Sequence, residues 1–244
     1  MSTQQLRDDA KVLWQLARGQ AVGGDHAERL QAFYAPQAAR YDAFRERLLH
    51  GRRELMAELA PARGAHLVEL GAGTGRNLGF LGDRLFDLSV SLVDLCPALV
   101  AVARERVAGL PNVRVFEADA VRWQPAQRAD HVLLSYALTM MPDWEGVIDN
   151  ACRMLRPGGT LAVVDFYVSA AQPVDGRVRH GWLMRQGWSR WFGHDGVRLN
   201  PAHIDALAAR TTRRYFSERR GPVPYLPGLR APYYLFIGQR GRSH

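Results

Sequence analysis

Glu69-Leu70-Gly71-Ala72-Gly73-Thr74-Gly75-Arg76-Asn77 is the stretch that decides the fold. It follows a short apolar run, His66-Leu67-Val68-Glu69-Leu70, that reads as a strand, and it leads into a helical pattern near Arg76–Leu85. A sharp strand-to-helix turn needs glycine, and bare backbone lets a ligand come close. A dinucleotide site spaces its glycines G-x-G-x-x-G and sets a pyrophosphate on the helix N-terminus. Here the spacing is G-x-G-x-G, with an acid two residues ahead of the first glycine. That arrangement suits a ligand with a cationic amino-acid moiety better than one with phosphates.

Downstream of the loop the rhythm repeats. Val90–Asp94 predicts a second strand, Pro97 to about Ala108 a helix, and Val113–Glu117 a third strand. His131–Ser135 predicts a fourth strand, Trp144–Leu155 a helix, Arg156–Gly159 a turn, and Thr160–Asp165 a fifth strand. Alternation at this spacing gives a mostly parallel sheet with helices on both faces. Beyond Val168 the pattern loosens into a Gly/Trp/Arg-rich stretch reaching Leu199. Asn200-Pro201 then opens a helix, with Asn as cap and Pro at the first position. Arg213–Ser217 and Tyr233–Gly238 close the chain as two strands joined through Pro222, Pro224 and Pro227. Upstream, Leu6, Ala10, Leu13, Trp14 and Ala17 recur at helical spacing, and a second helical pattern runs from about Gln37 to Leu59. The expected organisation is one domain: a helical N-terminal lid (1–60), a ligand-binding core (61–168), and an acceptor-side insertion with closing strands (169–244).

Composition narrows the classes. The chain has 244 residues, 47% hydrophobic and 23% charged, which is ample for a core without disulfide or metal staples. No run approaches the length of a membrane span, and the polar, acid-bearing start does not read as a secretory signal. Cys96 and Cys152 form neither a metal-ligand spacing nor a disulfide framework, so no metal and a cytoplasmic location are expected. Thirty-two basic residues against 24 acidic give a net charge of +8. From Thr211 onward seven arginines face one acid, Glu218. Such a face can attract nucleic acid, anionic lipid or phosphorylated substrates, and charge alone does not choose among them.

Two more acids stand at strand ends. Asp94 can accept from both hydroxyls of a ribose, and Asp119 can accept from an adenine amino group. Singly, each could be an ordinary helix cap. In order after Glu69, they form a set. With these residues the chain resembles the class I S-adenosylmethionine-dependent methyltransferases, whose fold is a Rossmann-like, seven-stranded, mostly parallel sheet. The resemblance runs from about Phe33 to Phe166. It rests on Val68–Gly75, Asp94, Asp119-Ala120, the Leu155–Leu161 turn, and Tyr34 with Tyr41-Asp42 in the lid. It implies S-adenosylmethionine as cofactor, S-adenosylhomocysteine as product, and a binding set of Tyr34, Tyr41, Glu69, Gly71, Ala72, Gly73, Asp94, Leu95, Asp119, Ala120 and Ser135. Glu69, Gly71, Gly73 and the lid tyrosines would surround the methionine part.

The acceptor is addressed elsewhere. Ser135-Tyr136-Ala137-Leu138 stands where enzymes acting on base or amide nitrogens carry Asn/Asp-Pro-Pro-Tyr, and no Pro-Cys nucleophile is present, so no nucleic-acid partner is expected. Phe33–Asp42, Leu49–Arg52, Trp191–Val197, Glu218–Pro227 and Arg230–Phe236 are similar to the N-methyltransferases of betaine-lipid synthesis. That similarity implies three methylations of the amine of diacylglyceryl-homoserine. It also implies a lipid-anchored substrate at the membrane surface, peripheral membrane association, and functional pairing with an aminocarboxypropyl transferase. The alternative is N- or O-methylation of a small soluble molecule. Quaternary ammonium products suit aromatic faces, for which Tyr34, Tyr41, Tyr136, Trp144, Trp182, Trp188, Trp191 and Phe192 are candidates. Tyr34, Tyr41, Tyr136 and His194 are the catalytic candidates, His194-Asp195 as a proton relay. Arg45, Arg219, Arg220 and Arg230 are candidates for a substrate carboxylate.

Overall fold

A computed structural model of the chain describes residues 26–34, 46–194, 196–224 and 226–241. The expected helix around Leu6–Ala17, together with Tyr41, Asp42, Arg45 and Asp195, lies outside the described residues. Seven strands form one sheet in the order β3-β2-β1-β4-β5-β7-β6. They are β1 (His66–Leu70), β2 (Ser89–Asp94), β3 (Val113–Glu117), β4 (Ala129–Ser135), β5 (Leu155–Phe166), β6 (Thr212–Val223) and β7 (Leu226–Gln239). The first five run parallel, and β7 is antiparallel to both β5 and β6. The order reverses beside β1, which places the C-terminal ends of β1 and β4 at a switch point. Ligands bind there in open α/β sheets.

β1 is buried at four of its five positions, as a central parallel strand covered on both faces must be. The helices are α1 (His26–Tyr34), α2 (Arg52–Leu59), α3 (Pro97–Arg106), α4 (Trp144–Met154), α5 (Trp182–His194) and α6 (Ala202–Arg210). α4 begins where Asp143 accepts the Gly146 amide at 3.0 Å, a side-chain cap. α3 has Pro97 in its first turn and no cap of its own. Gln31 of α1 supplies the acceptor instead, its Oε1 lying 3.0 Å from the Ala98 amide. Leu30 and Tyr34 pack there with Cys96 and Leu99. The lid segment is thus docked by a capping bond and an apolar patch.

Five expectations are corrected. Arg76–Leu85 is two 3₁₀ turns, Arg76–Phe80 and Gly82–Asp87, because Gly79 and Gly82 (φ +56°) weaken a continuous helix. The pattern expected to run from Gln37 to Leu59 is helical only from Arg52 within its described final part, apart from a turn at 46–48, since Gly51 sits at φ +79°. Arg156–Gly159 is not a turn before the fifth strand but an irregular, bulged part of β5 itself. Leu155 pairs with Ala129, the next pair is Thr160 with His131, and Gly158 (φ +78°) supplies the reversal. The stretch from 169 to 199 contains α5. Its Trp188 and Phe192 are buried and its Trp182 and Trp191 exposed, so no clean periodicity marks it. The closing strands are longer than read, since Pro222 pairs with Arg230 within the hairpin.

Candidate active site

A cavity of about 310 Å³ opens at the switch point. It is lined by the β1 end and its glycine loop, the ends of β2 and β3, the segment after β4, and α1. Gly71 (φ +68°) could carry no side chain. A Cβ there would lie 2.7 Å from that of Ala137, so the loop after β1 and the segment after β4 meet only because this residue is glycine. At Gly73 (φ +56°) a Cβ would meet nothing within 4 Å. The left-handed backbone, rather than crowding, is what calls for glycine at that position.

The three acids differ in environment. Asp94 receives the Gly73 amide on Oδ2 (2.7 Å) and the Cys96 amide on Oδ1 (2.9 Å). Burial pushes its carboxyl up, against the pull of those amides. Each oxygen keeps a second lone pair for a ligand hydroxyl. Glu69 is fully buried and accepts the Asn77 amide nitrogen at 2.6 Å. Burial raises its pKa to about 7, opposed by the Asn77 bond and the Arg52 charge. Asp119 is exposed at the rim and accepts the Val121 amide at 2.9 Å.

Arg52 and Asn77 line the cavity and were not among the sequence candidates. Arg52 is buried, donates Nε to the Leu49 carbonyl (3.0 Å) and reaches the Asn77 Oδ1 (3.4 Å). It is a guanidinium beside Glu69, fitted to the carboxylate of an amino-acid moiety whose ammonium faces Glu69. Asn77 orients that glutamate. Only topology brings Arg52 to the glycine loop, so no local spacing reveals it. Ser135 lines the cavity with a buried Oγ that has no hydrogen-bond partner, an acceptor or donor left for a ligand.

Tyr136 sits at φ +54°, a conformation costly for a non-glycine residue. Its backbone amide donates to the Val164 carbonyl (2.7 Å) and its hydroxyl to the His50 carbonyl (2.6 Å). Burial, reinforced by Asp165, pushes the phenol well above its usual range. A phenol that already donates and resists ionisation positions a substrate rather than taking its proton. Tyr34, buried, is the other tyrosine of the wall.

Of the proposed binding set, Tyr34, Glu69, Gly71, Ala72, Gly73, Asp94, Leu95, Asp119, Ala120 and Ser135 all line this cavity. His194 does not. It is exposed at the C-terminal end of α5, away from the lining. Among the aromatics, Trp144 stacks on His203 (4.7 Å), while Phe192 backs Phe166 (4.4 Å), which in turn backs Tyr136 (4.5 Å). Trp188 stacks on Phe192 (5.4 Å). Arg219 is held by Glu54 at 2.6 Å, and Arg230 leans on the Arg220 carbonyl. Among the described residues no group of His, Cys, Asp and Glu is placed to hold a metal.

Residues 67–159 match the family described as a methyltransferase domain. A trans-aconitate 2-methyltransferase of Escherichia coli O1:K1 / APEC is 32% identical over 110 residues, 45% of this chain and 42% of the relative. The chain thus aligns with less than half the length of that relative. The N-methyltransferase NodS of Bradyrhizobium japonicum WM9, solved with S-adenosyl-L-homocysteine, superposes with a TM-score of 0.64 at 17% identity. That likeness covers 89% of this chain and 99% of NodS. Phosphoethanolamine N-methyltransferase 2 of Haemonchus contortus, solved with S-adenosyl-L-methionine, gives 0.66 at 14% identity, covering 90% and 61%. Residues 67–159 are therefore similar to a methyltransferase domain, and the fold is that of the class I S-adenosylmethionine-dependent methyltransferases. The donor set fits that cofactor. Asp94 would hold the ribose, Glu69 and Arg52 the amino and carboxyl groups, and the rim near Asp119 and Ala120 the base.

Proposed function

We propose that the chain is an S-adenosylmethionine-dependent N-methyltransferase of a lipid-anchored amine, converting diacylglyceryl-homoserine to its N,N,N-trimethyl product by three transfers. The observation that carries methyl transfer is the gathering of Glu69, Asp94 and Asp119 around one glycine-loop cavity walled by Tyr34 and Tyr136. The lipid amine is supported by the segments similar to betaine-lipid N-methyltransferases. Two of them lie in and after α5 and along the β6–β7 hairpin, and both reach Tyr136. Phe192 reaches it through Phe166, and Pro222 through His50.

When bound, the cofactor supplies an electrophilic methyl on a sulfonium. The protein's work is alignment, since an in-line displacement gains most from positioning. Tyr136, fixed through both its amide and its hydroxyl, holds one wall of the acceptor space. Its face and that of Tyr34 favour the cationic products. Asp119 and Asp143, both exposed in the cavity lining, are carboxylates through which the proton each amine loses can pass to solvent.

Expression with and without an aminocarboxypropyl transferase, followed by mass spectrometry of lipid extracts, tests this reading. Mono-, di- and trimethylated homoserine lipid appearing only when both are present supports it. Unmethylated lipid accumulating beside active protein overturns it. The second reading, methylation of a small soluble molecule, is favoured by the name of the trans-aconitate relative. The same extracts, with a soluble homoserine ether as competing substrate, separate the two.

A further inference from the structure

α5 buries one side and leaves the other bare. Trp188 and Phe192 point into the core, while Trp182 (63%), Leu183 (78%) and Trp191 (48%) are exposed. At about 100° per residue, Leu183 and Arg190 fall at the centre of the outer face, and Trp182 and Trp191 on its two edges. Exposed tryptophan on a short helix is unusual enough to ask what covers it.

Charge names the occupant. From Val178 to His194 the chain holds Arg179, Arg185 and Arg190 and no aspartate or glutamate. A face this basic repels a second copy of itself and attracts an anionic surface. Tryptophan at the polar–apolar boundary, leucine between, and arginine around them form the composition of a helix lying in the interface plane of a membrane.

We infer that the outer face of α5 is the surface by which this chain docks on an anionic lipid bilayer. This deepens the lipid-amine reading and rests on it for the purpose of docking. The face is placed for that purpose. Trp191 meets Trp188, which stacks on Phe192, and the Phe192–Phe166–Tyr136 stack leads from there to the cavity wall. After α5, the Arg198 amide is pinned to the Thr139 carbonyl (2.7 Å), beside the lining residue Met140. A helix seated on the bilayer would therefore be tied to the cavity wall through this aromatic stack.

The test is co-sedimentation of the full chain with vesicles of phosphatidylcholine alone, and of phosphatidylcholine and phosphatidylglycerol in equal parts, at low and high salt. Binding is expected on the anionic vesicles and is expected to weaken with salt. The Trp182→Ala/Leu183→Ala/Trp191→Ala variant should lose about tenfold or more in partitioning. Arg179→Gln with Arg190→Gln should lose a comparable factor, since each charge near the surface contributes about fivefold. Calorimetric binding of S-adenosylhomocysteine checks that these variants remain folded, because none of the changed residues lines the cavity. Unaltered vesicle binding by both folded variants overturns the inference, as does a dimer in gel filtration that the triple variant converts to monomer. Vesicle binding without any lipid methylation leaves the docking face standing and sinks the function. Lipid methylation in detergent with no vesicle binding does the reverse.

Discussion

The two halves of the sheet are built on different terms. On the β1–β3 side, the cofactor half, the functional groups are backbone turns and carboxylates that sit within a few residues of a strand end. On the β4–β7 side, the acceptor half, the corresponding groups are brought together over long sequence separations. Tyr136 is held by His50 across 86 residues, and His50 in turn by Pro222 across 172. Local chemistry makes the first half specific for one ligand. Long-range packing, not local spacing, assembles the second half.

The comparison breaks first at Gly71. Gly71→Ala combines left-handed strain with a Cβ at 2.7 Å from Ala137. The cost should be about 4 kcal/mol, split between strain and overpacking. Thermal unfolding should show a large drop in Tm, and calorimetry loss of cofactor binding. A Tm and affinity near wild type would mean that the two loops are not in contact.

Glu69 comes next, through pH. Its folded pKa of about 7 lies above its ordinary 4.5. Between those values the folded chain holds more protons than the unfolded one. Its contribution to stability is therefore fully present below pH 4.5 and is lost as pH rises through 7, a change on the order of 3 kcal/mol. Cofactor affinity should move the other way, because an ionised Glu69 attracts an ammonium. Glu69→Gln should flatten both dependences in urea titrations and in calorimetry; a slope that survives belongs to another group. Asp94→Ala follows, removing an acceptor from ribose hydroxyls. It should weaken cofactor binding by about 2 kcal/mol.

In the acceptor half the expected effects are smaller and fall on turnover. Tyr136→Phe removes one hydrogen bond, worth about 1 kcal/mol, and loosens the wall against which the amine is aligned. Turnover should fall by more than cofactor affinity does. Equal losses in both would make Tyr136 a packing residue.

What was legible in the sequence follows the same division. β1 and β3 have the boundaries read from the residues, β1 as a buried apolar run and β3 as a short edge strand rich in β-branched and aromatic residues, each bounded by turn residues. The glycine loop and the acids after β1, β2 and β3 could be read because their spacing is local. Arg52 could not be read as a lining residue, since it stands 25 residues from the Asn77 it bonds and in sequence resembles any arginine of an amphipathic helix. α5 was missed because its outer face carries tryptophan and leucine, which erases the polar–apolar alternation that marks a helix. The Arg156–Gly159 turn was seen but not its embedding in β5, which depends on partners at Asp130 and Arg240.

His194 gives the smallest expected effect and the sharpest test of where the acceptor half ends. A His-Asp pair in a loop beside a glycine invites a proton-relay reading. The structure instead puts His194 at the last position of α5, exposed and outside the cavity lining. An imidazole at a helix C-terminus interacts favourably with the terminal carbonyls when protonated, a contribution to stability of at most about 1 kcal/mol. His194→Ala should therefore leave turnover and its pH profile unchanged and lower Tm slightly. A variant that lost turnover at constant Tm, with an altered pH profile, would show that α5 swings inward during catalysis. The acceptor half would then include a proton carrier supplied by the same helix whose outer face is proposed to dock on the membrane.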